Sequence, residues 1–276
     1  SQIMLGNGSD ELVDYVTRIF CKPGEDAVVA LPPTFGMYKV AAGVNDVEFR
    51  AINLNPDFTI PVDKLKASWD AKTKLLWLCT PNNPSGNAID PAVLEDLIRS
   101  FPGIVALDEA YIDFTPGASF VPRLADFPNL IIMQTMSKGW GMAGARVGMA
   151  FASELIIHYM NAIKPPYNVN VISQQRALAA LRAPEEMEQK VAELISERKR
   201  LETALSQLDC VEYIFPSVTN FLLVRFQDSA KVYEYLLGKG IVVRNQSYQP
   251  NAANCLRITA GLVEENDRLL AALREF

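Results

Sequence analysis

The stretch "TMSKGWGMAGARVG", residues 135–148, places one lysine between an apolar run and a set of very small residues. The apolar run is Leu130 to Met133, and the lysine is Lys138. Small side chains let the backbone approach another group closely. We therefore expect Lys138 to face a bound group rather than bulk water.

The glycines at positions 139, 141 and 144 also spell G-x-G-x-x-G, the pattern of dinucleotide-binding turns. That pattern requires a helix directly after the glycines, within a strand-turn-helix unit. Here the next residues are "ARVGMAFA" (145–152), which indicate another strand. The sequence therefore argues against a dinucleotide site.

Short apolar runs alternate with helical patterns over the first two thirds of the chain. A helix is predicted at 90–100, with Asp90 as its cap and Pro91 in its first turn. Buried strands are predicted at 26–31, 74–80, 104–109 and 129–135. This alternation predicts an α/β fold with a largely parallel sheet covered by helices.

The pattern changes after a long charged helix predicted at 184–208. Beyond that helix, strands are predicted at 211–215, 220–226, 241–244 and 255–259, and helices at 229–239 and 264–275. We predict a large domain at 1–183 and a smaller C-terminal α/β domain at 184–276, with the first helix of the second domain bridging the two.

Composition excludes several classes of function. The chain has 276 residues and a net charge of −6, which argues against a nucleic-acid-binding protein. A single histidine, His158, rules out a zinc site with paired histidines, so we predict no metal site. Four widely spaced cysteines indicate reduced thiols in the cytoplasm. No apolar run approaches the roughly 18 residues of a membrane span.

Three polar segments follow predicted strands, namely "TPNNPSG" (80–86), "DEAY" (108–111) and "TMSK" (135–138). In open α/β sheets, ligands bind at the carboxyl ends of the strands. A desolvated Lys138 would be a nucleophile for Schiff-base chemistry, and a buried Asp108 would pair with a cation such as a protonated pyridine. Each also has an ordinary alternative, a surface lysine and a helix-capping or ion-paired aspartate.

An anion site is predicted where "LGNGSDE" (5–11) ends a strand and opens a helix. The free backbone N–H groups at such a helix start favour a phosphate. Glycine-rich turns of this kind are common, so the motif alone is weak. Hydroxyl and guanidinium donors are added by Thr135, Ser137 and Arg146.

Seven segments taken together resemble a known family. They are "GNGSDE", "PPTFGMY", "PNNPSG", "DEAY", "TMSK" with the following Arg146, "TNF" and "CLRIT". Their order and spacing resemble the fold-type I pyridoxal phosphate-dependent aminotransferases, most closely the histidinol-phosphate aminotransferase family. The similarity spans essentially the whole chain. It implies pyridoxal 5'-phosphate as cofactor, transamination between histidinol phosphate and 2-oxoglutarate, and a homodimer.

The resemblance also implies a role for each residue of the cofactor site. Lys138 would form the imine with the cofactor aldehyde and move the substrate Cα proton. Asp108 would pair with the pyridine nitrogen. Asn83 and Tyr111 would hydrogen-bond the ring hydroxyl oxygen, and Phe35 would stack on the ring. The phosphate would be held by Ser9, Asp10 through its backbone N–H, Thr135, Ser137 and Arg146.

Two further arginines are implied to bind the substrate anion. Arg257 of "CLRIT" matches the family's anion-binding arginine, and Arg244 resembles a second contact from the small domain. A guanidinium fork fits carboxylate and phosphate about equally well, so one arginine can serve both amino donors. Without the resemblance, these would be read as structural arginines on strands.

One departure from the family is expected to affect activity. Family members have an N-terminal arm before the first strand, and this sequence lacks it. A pyridoxal phosphate-binding protein without turnover is therefore one alternative. A related enzyme, such as a threonine-phosphate decarboxylase or an aromatic amino-acid aminotransferase, is another, because the bond that breaks at Cα depends on its orientation to the cofactor ring. A regulator with a basic DNA-binding domain is disfavoured by the charge.

Overall fold

Strands and helices alternate through the first part of the chain, and a computed structural model describes residues 2–276. The strands are β1 (Ile3–Asn7), β2 (Ala27–Ala30), β3 (Glu48–Ala51), β4 (Thr73–Cys79), β5 (Ile104–Asp108), β6 (Leu130–Thr135), β7 (Val147–Phe151), β8 (Val211–Ile214), β9 (Phe221–Phe226), β10 (Arg244–Asn245) and β11 (Cys255–Thr259). The helices are α1 (Ser9–Phe20), α2 (Met37–Val44), α3 (Val62–Lys66), α4 (Pro91–Ser100), α5 (Glu154–Ile163), α6 (Val171–Leu181), α7 (Pro184–Leu205), α8 (Ser229–Gly238) and α9 (Val263–Glu275).

A seven-stranded sheet in the order β1-β7-β6-β5-β4-β2-β3 forms the centre of the larger part. The pairs from β3 through β6 are parallel. Its inner strands are leucine- and valine-rich and almost wholly buried, as expected for strands with helices on both faces. The prediction of a largely parallel α/β sheet is confirmed.

β7 runs antiparallel to both of its neighbours, β6 and β1. The link from β6 to β7 is the lysine segment at 136–146, which holds only a short 3-10 turn at Ala143–Ala145. Parallel strands need a longer crossover, usually a helix. The strand predicted directly after the glycines is confirmed as β7, so the G-x-G-x-x-G pattern here joins two strands rather than opening a helix.

A second sheet, with order β10-β11-β9-β8, is antiparallel throughout. Side chains of β9 alternate between two cores. Leu222 and Val224 pack with α8 and α9, whereas Leu223 packs into the cluster beneath the large sheet. The second sheet is therefore packed against the larger part, and the domain boundary between 183 and 184 stays a prediction.

The strand predicted at 241–244 is confirmed only at its end, where the structure has the two-residue strand β10 (Arg244–Asn245). Strand pairing there is limited to Arg244 and Asn245, opposite Arg257 and Leu256 of β11. Val243 is buried and Ile241 packs against the same core, so the apolar pattern reflects core packing of an irregular segment.

Among residues 2–276, no helix is long and apolar enough to cross a membrane.

Candidate functional site

A pocket of about 230 Å³ lies at the carboxyl edge of β4, β5 and β6. Its lining residues are Ser9, Asp10, Phe35, Cys79, Asn83, Asp108, Ala110, Tyr111, Thr135, Ser137, Lys138, Ala143 and Arg146. Every residue that the sequence predicted to contact the cofactor is among them. Parallel strands bring these positions together, because their carboxyl ends meet at one edge of the sheet.

Lys138 is half-buried in this pocket, with its Nζ 5.3 Å from the centre of the Tyr111 ring. Burial lowers the pKa of Lys138, and the positive charge of Arg257 lowers it further. The negative charges of Asp108 and Asp10 act in the opposite direction. A lowered pKa increases the fraction of free amine at neutral pH, which is the form that attacks a carbonyl carbon.

Asp108 is the last residue of β5 and is fully buried. The Tyr38 hydroxyl donates a hydrogen bond of 2.7 Å to Oδ2, and the Ala110 backbone N–H donates one of 3.0 Å to Oδ1. Burial raises the pKa of Asp108, while these two hydrogen bonds and the charge of Lys138 lower it. A carboxylate in this position can pair with a cationic ring at the bottom of the pocket.

The start of α1 forms an anion cradle on one side of the pocket. Gly8 precedes the helix with a φ of 78°, and the first helical N–H groups have no carbonyl partner within the helix. The Arg146 guanidinium donates a hydrogen bond of 3.0 Å to Asp10 Oδ2. The φ of 78° requires glycine at position 8, and an added Cβ atom there would push the Arg146 guanidinium aside.

Two hydroxyls complete the cradle. Thr135 Oγ1 donates a hydrogen bond of 2.9 Å to Ser137 Oγ, and the Ser137 N–H donates one of 3.1 Å to Thr135 Oγ1. Both residues lie at the carboxyl end of β6 in the pocket lining. Backbone N–H groups, two hydroxyls and one guanidinium together form a donor set suited to a phosphate.

The opposite wall connects the pocket to the second sheet. Arg257 Nη1 donates a hydrogen bond to Asn83 Oδ1, and its guanidinium lies 4.9 Å from the centre of the Phe221 ring. Burial raises the pKa of Tyr111 to about 12, and the positive charge of Arg257 opposes that rise. Arg257 therefore acts electrostatically on both Tyr111 and Lys138.

Arg244 lies outside the lining of the lysine pocket. It is exposed on β10, directly opposite Arg257 on β11, and both line a second cavity of about 490 Å³. Arg257 thus reaches the lysine pocket by its hydrogen bond to Asn83. Arg244 lies on the next strand, farther from that pocket. Two neighbouring guanidiniums suit a doubly charged anion.

Two polar side chains at the site, those of Tyr38 and Cys79, were not predicted from the sequence. Tyr38 lies three residues after Phe35, within the quoted "PPTFGMY" segment on the first turn of α2, and it binds Asp108. Cys79 ends β4 and pairs in register with Asp108 of β5. A signal was available for Cys79, since it occupies the same strand-end position as Asp108. Burial raises the pKa of its thiol, so Cys79 is a neutral part of the wall.

Two further sequence predictions concern a metal site, which we do not expect, and the single histidine, His158. In the part of the chain that the structure describes, no group of three histidine, cysteine or acidic side chains is placed to hold a metal ion. His158 is exposed on α5, beside Tyr159. This matches the surface position that the amphipathic helical pattern around His158 predicts.

Comparison with known proteins places the chain among aminotransferases. The family described as aminotransferase class I and II matches residues 1–273. A histidinol-phosphate aminotransferase from Bacteroides fragilis is 49% identical over 276 residues, which are 100% of this chain and 80% of that protein.

Two solved structures share the fold. A histidinol-phosphate aminotransferase from Sinorhizobium meliloti, in complex with pyridoxal-5'-phosphate, matches with a TM-score of 0.91 and 24% identity, over 99% of this chain and 76% of that chain. An L-threonine-O-3-phosphate decarboxylase from Porphyromonas gingivalis matches with a TM-score of 0.85 and 24% identity, over 100% and 83% respectively. Since a transferase and a decarboxylase both match, the fold by itself does not decide the reaction.

Proposed function

We propose that this chain, which belongs to the class I and II aminotransferase family, transfers an amino group between histidinol phosphate and 2-oxoglutarate. As a member of that family it is a pyridoxal phosphate-dependent aminotransferase. The substrate is supported by the 49% identity to the Bacteroides fragilis enzyme over the whole chain. This reaction would place the protein in histidine biosynthesis.

The pocket residues fit the cofactor by their chemistry. A half-buried amine of lowered pKa, Lys138, lies in the same pocket as the buried carboxylate of Asp108 and a helix-start anion cradle. The amine matches the cofactor aldehyde, the carboxylate matches a protonated pyridine nitrogen, and the anion cradle matches the cofactor phosphate. When bound, the cofactor supplies the electrophilic aldehyde and the electron-withdrawing ring. This combination of groups is the observation that carries the proposal.

Each residue then has a stated task. Lys138 Nζ would bind the cofactor covalently and afterwards carry the proton taken from the substrate Cα. The Asp108 carboxylate would hold the ring-nitrogen proton. Asn83 and Tyr111 would orient the ring hydroxyl, and Phe35 would cover one ring face. The cofactor phosphate would be held by Ser9, Asp10, Thr135, Ser137 and Arg146.

Arg257 and Arg244 would bind the anionic end of the substrate. Arg257 is already oriented by Asn83, and Arg244 lies directly opposite it on the neighbouring strand. A pair of guanidinium groups can donate hydrogen bonds either to the phosphate of histidinol phosphate or to the distal carboxylate of glutamate. Both half-reactions could therefore use one anion site.

The substrate is tested by a transamination assay. Glutamate should form when the protein is given pyridoxal 5'-phosphate, histidinol phosphate and 2-oxoglutarate. A protein that binds the cofactor and releases no glutamate would refute the substrate but not the cofactor. Release of carbon dioxide from threonine phosphate would instead support the decarboxylase alternative.

The lysine assignment is tested by Lys138→Ala. We expect a rate at least about 100-fold lower, because the variant loses both the covalent link and the proton carrier. Borohydride reduction followed by peptide mapping should label Lys138 in the parent protein. Lys190→Ala, an exposed lysine on α7, is the control, and label on any lysine other than Lys138 would overturn the assignment.

We also propose that the chain forms a homodimer in the cytoplasm. Several large apolar side chains are exposed on α6 and the segment before it, namely Tyr167, Val171, Ile172, Leu178 and Leu181. Single soluble chains rarely expose large contiguous apolar patches, so a second copy is the simplest occupant. The cytoplasmic location is supported by three buried free thiols, which suit a reducing compartment.

A further inference from the structure

Tyr38 is a buried titratable residue to which the proposed reaction assigns no task. It lies on the first turn of α2 and has no exposed surface. Its hydroxyl is 2.7 Å from Asp108 Oδ2, across 70 residues of sequence. A buried hydroxyl that donates to a carboxylate makes a hydrogen bond stronger than one between neutral groups.

The packing around the ring fixes the direction of this hydrogen bond. The Tyr38 ring stacks on Trp77, with ring centres 4.6 Å apart and an angle of 6° between the planes. Its edge meets Phe35, 5.7 Å away, at an angle of 85°. Tyr38 therefore contacts both the aromatic residue proposed to cover the cofactor ring and the carboxylate proposed to face the ring nitrogen.

The two oxygens of Asp108 are each engaged by one donor from the protein. Oδ2 accepts from Tyr38 and Oδ1 from the Ala110 N–H. This holds the carboxyl plane in place and leaves lone pairs for a further donor. Burial favours the protonated form of Asp108, and the Tyr38 hydroxyl opposes that effect by stabilising the charged form.

We propose that Tyr38 is a positioning residue that holds Asp108 as an oriented carboxylate, so that the proton shared with the cofactor ring nitrogen stays on the nitrogen. The inference rests on the proposed function, since it takes Asp108 to be the partner of that nitrogen. Without the hydroxyl, Asp108 becomes the more basic partner. Asp108 would then hold more of the shared proton and would do less to keep the cofactor ring cationic.

The test is Tyr38→Phe, which removes the hydroxyl and keeps the ring. Protein loaded with pyridoxal 5'-phosphate labelled with ¹⁵N in the ring is examined by NMR at fixed pH. We expect the nitrogen resonance of the variant to move toward the value of unprotonated pyridine. The expected kinetic effect is a fall in kcat of about tenfold, the size typical of a lost hydrogen bond to a charged group, with little change in KM.

Tyr15→Phe is the matched control. Tyr15 is also buried, and both this burial and the Glu11 carboxylate beside it raise the pKa of its hydroxyl, but it lies outside the pocket lining. This variant should have the same ring-nitrogen resonance and kcat as the parent. If Tyr38→Phe does not fold, 4-aminophenylalanine at position 38 fills the same space with a weaker donor and should shift the resonance in the same direction.

Two results separate this inference from the proposed function. An unchanged nitrogen resonance in the position-38 variants, together with a changed one in Asp108→Asn, would overturn the role of Tyr38 alone. An unchanged resonance in Asp108→Asn would instead overturn the proposed role of Asp108, and the inference would fail with it.

Discussion

Asp113 packs against Gly139, the residue directly after Lys138. Burial favours the uncharged form of both the Asp113 carboxyl and the Lys138 amine. Gly139, directly after Lys138, packs so closely on Asp113 that a Cβ atom at position 139 would collide with the carboxylate. Burial raises the pKa of Asp113 to about 6, against a lowering hydrogen bond from the Gly139 N–H. Burial lowers the pKa of Lys138. Burial thus moves the pKa values of the acid and the amine toward each other.

Asp113→Asn should make the protein more stable at neutral pH. The carboxyl pKa rises from 3.8 in the unfolded chain to about 6 in the fold, so the folded state binds more protons between these values. The free energy of unfolding therefore falls as pH rises through that window and stays low above it. We expect the variant to gain about 1–3 kcal/mol at pH 7.5 and little at pH 3.5.

Urea unfolding at a series of pH values measures this effect. Asp209→Asn, at an exposed position between α7 and β8, is the control for the loss of one carboxylate, and its slope between pH 4 and 6 is compared with the parent's slope. An Asp113→Asn variant with that same slope would contradict the assigned cause.

Gly8→Ala should damage the anion cradle. The residue has a φ of 78°, and a Cβ atom would collide with the Arg146 guanidinium. We expect a loss of about 1–3 kcal/mol in the free energy of unfolding, with weaker binding of pyridoxal 5'-phosphate because Arg146 is displaced. Equilibrium dialysis and urea unfolding measure the two effects.

Gly36→Ala is the matched control for the cradle. Gly36 has a φ of −66°, and no atom lies within 4 Å of the point that its Cβ would occupy, so an alanine fits there. If both glycine variants bound the cofactor equally well, the cradle would not depend on the Gly8–Arg146 contact.

At the scale of single elements, helix starts were more predictable than short strands. The predicted cap of α4 is confirmed, since Asp90 accepts a hydrogen bond of 2.7 Å from the Ala92 N–H and Pro91 occupies the first turn. Such caps depend only on neighbouring residues. The segment at 241–244 has a strand-like composition, but its pairing depends on a partner strand, which it meets only at Arg244 and Asn245.

Asp90→Ala should destabilise the protein by about 1 kcal/mol, because the start of α4 loses its side-chain acceptor. Asp63→Ala, at an exposed position in the first turn of α3, is the comparison and should cost less. Thermal unfolding of both variants measures the difference. Equal losses would contradict a capping role that is specific to Asp90.

At the scale of the whole molecule, the two sheets meet at the site. The hydrogen bond between Arg257 and Asn83 joins residues 174 positions apart. Next to it, the Val218 N–H donates a hydrogen bond of 2.8 Å to the Gly86 carbonyl, at the end of the "PNNPSG" segment. The proposed anion-binding arginine is therefore held by the same segment that supplies Asn83 to the cofactor pocket.

Ile172→Glu should weaken the proposed homodimer. Ile172 is 69% exposed on α6, within the apolar surface described above, and a charge there would be buried without a partner on association. We expect the sedimentation coefficient to fall to that of a monomer at concentrations where the parent is dimeric. Val242→Glu, in which a 73% exposed valine of the second part is replaced, should leave association unchanged. A monomeric parent protein would refute the homodimer itself.

The sequence by itself determined the alternation of strands and helices, the three polar strand ends and the anion-binding turn, because each depends on residues close together in the chain. Those local patterns were sufficient to bring Lys138, Asp108 and Asn83 to one edge of the sheet. Only the tertiary structure decided which side chains hold them there. Tyr38 reaches Asp108, and Arg257 reaches Asn83, through the packing of distant elements. No local periodicity encodes such contacts, since they depend on how helices and the second sheet pack against the first.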